Sequence, residues 1–430
     1  MKKVFLAAIA VVSFQFTYAQ SWMQVSSGTD APVNALIIYN NELIIGGDFT
    51  SPFNGIARWD TTNFLSIGLG VDTSVNCFDT LGGNLYAGGN FTIMDTVAAN
   101  NIAMWNGLSW SALGTGTNGP VYCMAAYQGE LYVGGKFTTA GGSPAVNIAK
   151  WNGSTWSAVG NGLTNNNNFC SERVSALMVY SNALYAGGCF TSEGNNIAKW
   201  DGNAWSTLGT GTDAPVDALQ SFNNYLYVGG GFTNVNSSLC QYLAKWNGNW
   251  TNANTNINMS PWTFKVIGNK LFVAGFGFPN SSLFKLNGNA WNVVQSGIPA
   301  AAFSPAHGIY AIDFFSHHLY LGGLFKMASN EYGDHLIYTS DTFLGVNDHD
   351  EENAFGLFPN PSSGSFTLDF EREVNADRRL EISNSLGQTV YASSLPRGRT
   401  SFEVQGLSEG IYLVRIISAN GASARKLVIE

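Results

Sequence analysis

Apolar residues recur along the chain in short runs that end in a pair of glycines or a close variant of it. The phrase occurs seven times, for example as "LYVGGKF" at 131–137. Its second glycines are Gly47, Gly89, Gly135, Gly188, Gly230, Gly275 and Gly323. Both faces of these runs are apolar, whereas a strand with one solvated face alternates apolar and polar positions. The pattern therefore predicts sheets that are covered on both faces.

A second apolar anchor stands thirteen residues before the first position of every pair. These anchors are Val33, Val75, Val121, Val174, Val216, Pro261 and Ile309. The constant spacing predicts a rigid hairpin, with its tight turn at Asn223-Asn224 in the fifth repeat. Two spaced aromatic residues follow, such as Trp151 and Trp156, and the Asn152-Gly153 between them predicts a type I′ turn. Each repeat thus predicts four antiparallel strands in two hairpins.

Seven four-stranded units predict an all-β fold, namely a seven-bladed β-propeller over residues 20–345. A solenoid is the alternative, but its repeats are usually shorter and it needs capping units. The pattern resembles the kelch repeat, in which a strand ending in di-glycine precedes a spaced aromatic pair. The resemblance covers residues 22–345, implies a propeller scaffold and leaves the activity open. We expect the strand at Trp22, rather than the one at Phe343, to complete the last blade.

The N-terminus has the pattern of an export signal. Lys2 and Lys3 precede the apolar run "VFLAAIAVV", and small residues follow at Thr17 to Ala19. This arrangement is typical of a secretory signal peptide, here residues 1–19, with cleavage before Gln20. No later run reaches the length that spans a bilayer, so we expect no transmembrane segment.

The C-terminus predicts a second module. After an acidic linker at 346–354, short alternating strands such as "SFTLDFE" predict a small β-sandwich over 355–430. The phrases "LFPNPSSGSF", "ISNSLGQTVY", "LSEGIYLVRI" and "RKLVIE" resemble, in order, the type A C-terminal sorting domain of the type IX secretion system. The matching motif residues are Pro359, Asn360, Pro361, Gly364, Gly387, Gly410, Tyr412 and Lys426.

This resemblance implies export across the outer membrane of a Gram-negative cell of the Bacteroidota type. The implied partners are the type IX machinery and its sortase, which removes the domain and releases the protein or attaches it to surface lipopolysaccharide. The expected location is therefore secreted or cell-surface. The net charge of −9 argues against nucleic acid as a partner, because contact with phosphates needs basic patches.

Candidate chemistry is sparse. The five histidines show no metal spacing, and we expect His317 and His318, at a tight turn, to face solvent. No carboxylate pair or nucleophile–base motif stands out, so we predict no catalytic residue and expect no cofactor, with calcium kept as the alternative. Cys77 and Cys123 occupy equivalent strand positions and are expected to be small core fillers. Cys170 and Cys189 fall at one sheet edge and form a disulfide candidate, with Cys240 as the alternative partner.

The loops between blades and between second and third strands vary in length and share one predicted face, the usual place for binding on a rigid scaffold. An Asx residue recurs there three positions before the anchor: Asp30, Asp72, Asn118, Asp213 and Asn258. These side chains either cap turns or form a ring of oxygens that would hold a cation. One position after the anchor, facing the channel if the first strand is innermost, stand Asn34, Asn76, Tyr122, Ser175, Asp217, Trp262 and Tyr310.

These observations favour an extracellular binding or interaction module whose ligand is a protein or a glycan. Two other classes stay open. One is a glycan-active enzyme, a lyase or glycosidase on a propeller, which would need convergent carboxylates or a His–Tyr cluster at the channel mouth. The other is a purely structural surface protein.

Overall fold

The structure is a computed structural model that describes residues 22–166, 170–277, 281–298, 308–325, 335–339, 355–358, 362, 365–370, 378–384, 388–395, 401–418 and 421–429. The chain divides into two compact units, 1–266 with 270–342, and 343–430 with 267–269. The predicted signal peptide, the acidic linker and the motif residues Pro359, Asn360, Pro361, Gly364 and Gly387 lie outside the described residues. Within the described ranges, no helix is long and apolar enough to cross a membrane.

The first unit contains seven four-stranded antiparallel sheets in the described ranges, which we call blades 1 to 7. The first strand in the chain, β1 (Trp22–Gln24), precedes blade 1. Blade 1 consists of β2 (Val33–Tyr39), β3 (Glu42–Gly47), β4 (Ile56–Trp59) and β5 (Phe64–Leu65). Blade 2 consists of β6 (Val75–Leu81), β7 (Asn84–Gly89), β10 (Ile102–Trp105) and β11 (Trp110–Ala112), with a loop hairpin of β8 (Ile93–Met94) and β9 (Val97–Ala98).

Blade 3 repeats this plan with β12 (Val121–Tyr127), β13 (Glu130–Gly135), β16 (Ile148–Trp151) and β17 (Trp156–Ala158), and its loop hairpin is β14 (Thr139–Ala140) with β15 (Ser143–Pro144). Blade 4 has no loop hairpin and consists of β18 (Arg173–Tyr180), β19 (Ala183–Cys189), β20 (Ile197–Trp200) and β21 (Trp205–Thr207). Blade 5 consists of β22 (Val216–Phe222), β23 (Tyr225–Gly230), β26 (Leu243–Trp246) and β27 (Trp250–Asn252), with a loop hairpin of β24 (Asn234–Val235) and β25 (Ser238–Leu239).

Blade 6 consists of β28 (Ser260–Ile267), β29 (Lys270–Phe276), β30 (Ser281–Asn287) and β31 (Ala290–Ile298). Blade 7 takes β32 (Gly308–Phe315), β33 (His318–Leu324) and β34 (Leu336–Thr339) from its own repeat and β1 as its fourth strand. Trp22 pairs with Thr339 and Gln24 with Ile337. The prediction that the N-terminal strand completes the last blade is confirmed, so the ring closes by hydrogen bonds between the two ends of the propeller sequence.

The glycine pairs are where each blade packs against its neighbours. A Cβ on the first glycine would lie 2.5–2.7 Å from the anchor side chain of the next blade, as at Gly187 against Val216 and Gly322 against Val33. A Cβ on the second glycine would overlap the carbonyl oxygen just before the anchor of its own blade, as at Gly230 with Pro215. The first strands of neighbouring blades accordingly approach one another around the centre of the ring.

The aromatic pairs fill the outer part of the blades, where neighbouring sheets diverge. Within a blade the two rings are in contact, with centroids 5.4 Å apart for Trp151 and Trp156. The second indole then donates to a carbonyl of the preceding blade, from Trp156 to Leu113 at 2.6 Å and from Trp250 to Leu208 at 2.8 Å. These tryptophans thus link consecutive blades as well as filling space.

The two hairpins of a blade have different turns. Asn223 and Asn224 both adopt positive φ, at 47° and 61°, which confirms the tight turn predicted between the first two strands. In the second hairpin of blade 3 only Gly153 has positive φ, at 99°. The Asn152 side chain instead accepts hydrogen bonds from the N–H groups of Ser154 and Thr155, at 2.9 Å each. The type I′ prediction was wrong here because the Asn side chain forms an Asx turn.

The second unit is the predicted β-sandwich. One sheet contains β35 (Phe355–Phe358), β36 (Ser365–Phe370) and β39 (Ser401–Gln405). The other contains β37 (Arg378–Asn384), β38 (Thr389–Leu395), β40 (Gly410–Ser418) and β41 (Gly421–Ile429). Their inner faces share one apolar core, to which Phe366 and Leu380 contribute from opposite sheets. The motif residue Tyr412 packs in this core and donates its hydroxyl to the carbonyl of Ser408 at 2.8 Å.

We expect Gly230→Ala to lower the free energy of unfolding of the propeller by about 1–3 kcal/mol or more. The new methyl group overlaps main-chain atoms, which cannot rotate away as a side chain can. Gly231→Ala is the matched control, since a Cβ there has no neighbour within 4 Å. Urea unfolding followed by tryptophan fluorescence measures both, and all twelve tryptophans lie in the propeller sequence. Equal stabilities of the two variants would contradict the packing role of the pair.

We expect Trp22→Ala to lower the free energy of unfolding by about 2–4 kcal/mol, because the partly buried indole belongs to the strand that closes the ring. Met23→Ala, on the same strand but 49% exposed, should change it by less than about 0.5 kcal/mol. Chemical denaturation of the mature chain compares the two variants. A Trp22 variant as stable as the Met23 variant would contradict closure by β1.

Candidate functional site

In the described blades, one face of the propeller carries the loops of variable length. Val216 pairs with Gly230, so the anchor and the glycine pair lie at the same end of the first hairpin. The loops that follow the glycine pairs and those that precede the anchors therefore share this end. We call it the loop face; in the described blades it includes residues 48–55, 90–101, 136–147, 190–196 and 231–242 and the connections between blades.

A groove opens on the loop face at the boundary between blades 4 and 5. Its larger part has a volume of about 540 Å³ and is lined by Asn195, Thr210, Gly211, Thr212, Asp213, Asn234 and Ser237. An adjoining part of about 310 Å³ shares Asn195, Thr212 and Asp213 and adds Cys170, Thr191, Asn196, Ala214 and Pro215. The shared residues make the two parts continuous, and most of the lining side chains are amides and hydroxyls.

The groove exists because its two walls differ in height. Blade 5 contributes the loop hairpin β24–β25, which is joined to the groove floor by a bridge between Val235 and Thr212. On the other side, the blade 4 loop spans only 190–196, against 231–242 in blade 5, and forms no hairpin. The long loop of blade 5 thus faces the short loop of blade 4 across the groove.

Hydrogen bonds hold the floor of the groove. The amide groups of Asn195 and Asn196 donate to the carbonyls of Thr210 and Thr212, at 2.8 and 3.0 Å. Between these carbonyls Gly211 adopts φ of 73°, and a Cβ there would overlap the Asn195 carbonyl. The groove backbone is therefore preorganised by contacts that do not depend on a ligand.

Asp213 is the charged residue of the described groove lining, and its carboxylate is fully engaged. One oxygen accepts the N–H groups of Thr233 and Asn234 at 2.8 and 3.0 Å, and the other accepts the Thr233 hydroxyl and the Asn234 amide at 2.6 and 2.8 Å. Burial acts to raise its pKa, but these hydrogen bonds outweigh burial and lower the pKa to about 2. Asp213 is therefore ionised at neutral pH and fixes the wall of blade 5.

The other Asx residues of the predicted ring make the same kind of contact, each at its own blade. Asp30 accepts from the N–H groups of Thr50 and Ser51, Asp72 from those of Thr92 and Ile93, and Asn118 from those of Thr138 and Thr139. These contacts correspond to the turn-capping alternative. In the described part of the chain no three His, Cys, Asp or Glu side chains form a group that could hold a metal. Asn258 lies before the anchor of blade 6, and calcium binding stays a prediction.

The residues one position after the anchors connect neighbouring first strands. Asn34 and Asn76 donate to the carbonyls of the next anchors, Val75 at 3.4 Å and Val121 at 3.0 Å. Trp262 contacts Tyr310 across blades 6 and 7, with ring centroids 5.4 Å apart. Burial, and then the charge of Asp48, raises the pKa of Tyr310 to about 12. Tyr122 stands at the corresponding position of blade 3.

An ion pair completes this inner layer between blades 4 and 5. Arg173 lies 3.4 Å from Asp217, and its Nε donates to the Ser175 hydroxyl at 3.0 Å. Burial raises the pKa of Asp217 to about 6, although the Arg173 charge acts to lower it. The structure therefore joins the predicted residues Ser175 and Asp217 through Arg173, which the sequence did not single out.

The structure tests the predictions for the cysteines and the histidines. Cys170 and Cys189 form the predicted disulfide, with Cα atoms 6.2 Å apart, and it lies at the end of the groove. Cys123 is buried and Cys77 half-buried, and burial raises the pKa of both thiols, which fits core fillers. His317 is exposed in its turn. The solvent-facing prediction for His318 was wrong, because its Nδ1 lies 2.6 Å from the Thr339 carbonyl oxygen.

Sequence reasoning missed most of the groove. Of its lining, only Asp213 was a candidate ligand-binding residue, while Asn195, Thr210, Asn234 and Ser237 were not. One signal was available: Asp213 and Thr233 stand twenty residues apart, and so do Asp30 with Thr50 and Asp72 with Thr92. This constant spacing indicates a side chain that holds the following loop.

The C-terminal unit matches a known family. Residues 356–430 match the model described as the secretion system C-terminal sorting domain. The interpretation of its motifs as a type IX sorting domain is thereby confirmed, and this domain indicates export to the outer surface or the medium in Bacteroidota. No curated protein sequence matches the chain.

Several solved structures are similar to the chain at low identity. The extracellular domain of a protein described as a one-component system, BT4673 from B. thetaiotaomicron, is 12% identical with a TM-score of 0.49 over 96% of this chain and 58% of that one. This chain thus spans less than two thirds of that structure. The computationally designed Ika8 protein is 13% identical with a TM-score of 0.41, covering 94% and 98% of the two chains. A protein of unknown function from Bacteroides thetaiotaomicron is 10% identical with a TM-score of 0.40, covering 74% and 72%.

We expect Asp217→Asn to stabilise the propeller at neutral pH relative to the wild type. The folded pKa of Asp217 lies above its unfolded value, so its contribution to stability is complete below pH 4 and is lost as pH rises through about 6. The difference in unfolding free energy between variant and wild type should therefore grow by about 2–3 kcal/mol between pH 4 and 7. Denaturant titrations at several pH values measure this difference.

Asp213→Asn is the control for this titration. The pKa of Asp213 is lowered to about 2, so its own contribution changes only below about pH 4. Its difference from the wild type should stay constant between pH 4 and 7. Parallel profiles for the Asp217 variant and the wild type would show that Asp217 is not held in a charge-disfavouring site.

Proposed function

We propose that the chain is an extracellular binding protein: its C-terminal domain directs export, and its propeller binds a ligand on the loop face. The observation that carries this proposal is the groove between blades 4 and 5. Its larger part, about 540 Å³, falls within the range of roughly 300–1,000 Å³ typical of ligand sites. The resemblance to kelch repeats adds a scaffold on which loops vary while the blades stay constant.

The position of the groove supports binding. It lies between two blades that are packed against one another by the contact of Gly187 with Val216. Its walls are loops, and loops on a rigid scaffold are where binding residues concentrate. The Cys170–Cys189 disulfide at one end further restricts the blade 4 side.

The chemistry of the groove favours binding over catalysis. Glycoside hydrolysis uses a pair of carboxyl groups, one of them protonated to act as an acid. In the described lining Asp213 is the single carboxyl group, and its pKa of about 2 keeps it ionised. Its four hydrogen bonds also leave it no lone pair for a substrate.

We expect a bulky residue in the groove to abolish binding. Thr210→Trp places an indole in the groove, and Thr115→Trp is the matched control, since Thr115 stands in the same phrase, "LGTGT", at the boundary between blades 2 and 3. Mature wild type and both variants are screened against arrays of extracellular proteins and of glycans. The Thr210 variant should lose the signals of the wild type, and the Thr115 variant should keep them. Signals equal in all three proteins would contradict the groove as the binding site.

We expect deletion of residues 355–430 to trap the propeller in the periplasm, because the sorting domain is what the type IX machinery recognises. Fractionation of the cells and protease treatment of intact cells, with detection by an antibody to the propeller, locate the protein. A resident periplasmic protein controls for leakage. Normal surface levels of the truncated protein would contradict the export part of the proposal.

A further inference from the structure

The groove between blades 4 and 5 is polar but nearly uncharged. Its larger part presents the hydroxyls of Thr210 and Ser237 and the amides of Asn195 and Asn234. The described lining contains no lysine, arginine or histidine that would pair with an anion. Pockets for drug-like ligands are mostly apolar, so this lining suits a ligand that is itself rich in hydroxyl groups.

Two asparagines present oriented acceptors at the groove. The Asn195 amide donates to the Thr210 carbonyl at 2.8 Å, and the Asn234 amide donates to Asp213 at 2.8 Å and to the Thr233 hydroxyl at 3.0 Å. With the nitrogen of each amide fixed, the position of each Oδ1 is fixed as well. No donor in the described residues reaches either Oδ1, so both oxygens are available to ligand hydroxyls.

The charge of the groove selects against acidic ligands. Asp213 carries a full negative charge in the wall, and no cation in the described lining offsets it. A sulfate, phosphate or carboxylate group brought into the groove would be repelled, whereas a neutral hydroxyl would not. The net charge of −9 for the whole chain acts in the same direction.

An exposed apolar side chain stands beside Asn234. Leu239 is 72% exposed and is the cross-strand partner of Asn234, so both side chains lie on the same face of the loop hairpin. A sugar ring has hydroxyls at its edge and an apolar C–H face, and this pair of side chains complements both. The volume of the groove suits a small ligand, whereas a protein partner needs a surface of about 800 Å².

We infer that this groove binds a neutral carbohydrate, with Asn195 and Asn234 accepting hydrogen bonds from its hydroxyls, an inference that rests on the proposed binding function. Asp213 is a positioning residue in this arrangement, because it orients Asn234 and has no free acceptor site itself.

The test uses the mature full-length chain and a printed array of neutral, sialylated and sulfated oligosaccharides, followed by calorimetric titration with the neutral oligosaccharide of strongest signal. Asn234→Thr is the selective variant, because Thr139 occupies the equivalent position in blade 3 and shows that the loop hairpin forms with threonine there. It should weaken binding by about threefold to tenfold, the worth of one hydrogen bond. Thr210→Trp should abolish binding, and Thr115→Trp should leave it unchanged.

Binding confined to sialylated or sulfated oligosaccharides would overturn the inference, as would neutral binding that Thr210→Trp does not change. A parallel array of extracellular proteins separates this inference from the function it rests on. Protein binding that Thr210→Trp abolishes, without binding of any neutral oligosaccharide, would refute the carbohydrate and retain the groove as a binding site. Failure of both arrays to give a signal sensitive to Thr210→Trp would refute both.

Discussion

Six of the seven blades pack against the next through the main chain of a glycine, because the anchor side chain of the neighbouring blade occupies the place where a Cβ would be; blade 6 has Ala274 at this position. This contact recurs around the ring, from Gly46 against Val75 to Gly322 against Val33. It brings the first strands close together, and the sheets then diverge toward the outside. The wide outer space requires large side chains there, and the tryptophan pairs supply them. β1 returns to blade 7 as its fourth strand and so joins the two ends of the ring.

Because the packing between blades is constant, the loops on the blades can differ in length. Blades 2, 3 and 5 extend the loop after the glycine pair into a small hairpin, while blade 4 does not. This difference in loop length does not change the packing of the blades, since the Gly187–Val216 contact is the same as at other boundaries. It does change the surface, because a short loop beside a tall one leaves a groove. The site we propose is thus a consequence of unequal loops on equal blades.

The sequence predicted the packing of the blades well because the residues that make it recur from repeat to repeat at similar spacing. A glycine that must lie close to the anchor of the next blade appears in six of the seven repeats, and spaced tryptophans or other aromatic residues recur with it, so repetition identifies both. The prediction of the second hairpin turn was wrong, because an Asn-Gly pair suits either a type I′ turn or an Asx turn. The strand register distinguishes the two: Trp151 pairs with Trp156, so residues 152–155 form the loop. His318 was misplaced for a similar reason, since its acceptor, Thr339, belongs to another strand.

The groove could not be predicted from the sequence, and the reason is physical. Its lining comes from three separate segments, around Asn195, Thr210 and Asn234, and none of them is unusual when taken alone. The Asx residues were recognised, but their partners are main-chain N–H groups of a later loop, which a pattern of side chains does not reveal. What the sequence shows is that loops vary; which two loops leave a space depends on the blades between them.

The most direct test of a binding site in this groove is hydrogen–deuterium exchange of the mature chain with and without a mixture of neutral oligosaccharides. Ligand in the groove should protect the amides of 190–196, 209–215 and 233–239, three segments that are distant in sequence and meet only there. The turns at the opposite end of the same blades, at 181–182 and 223–224, should exchange as before. Protection at those turns, or equal exchange throughout the propeller, would contradict the account.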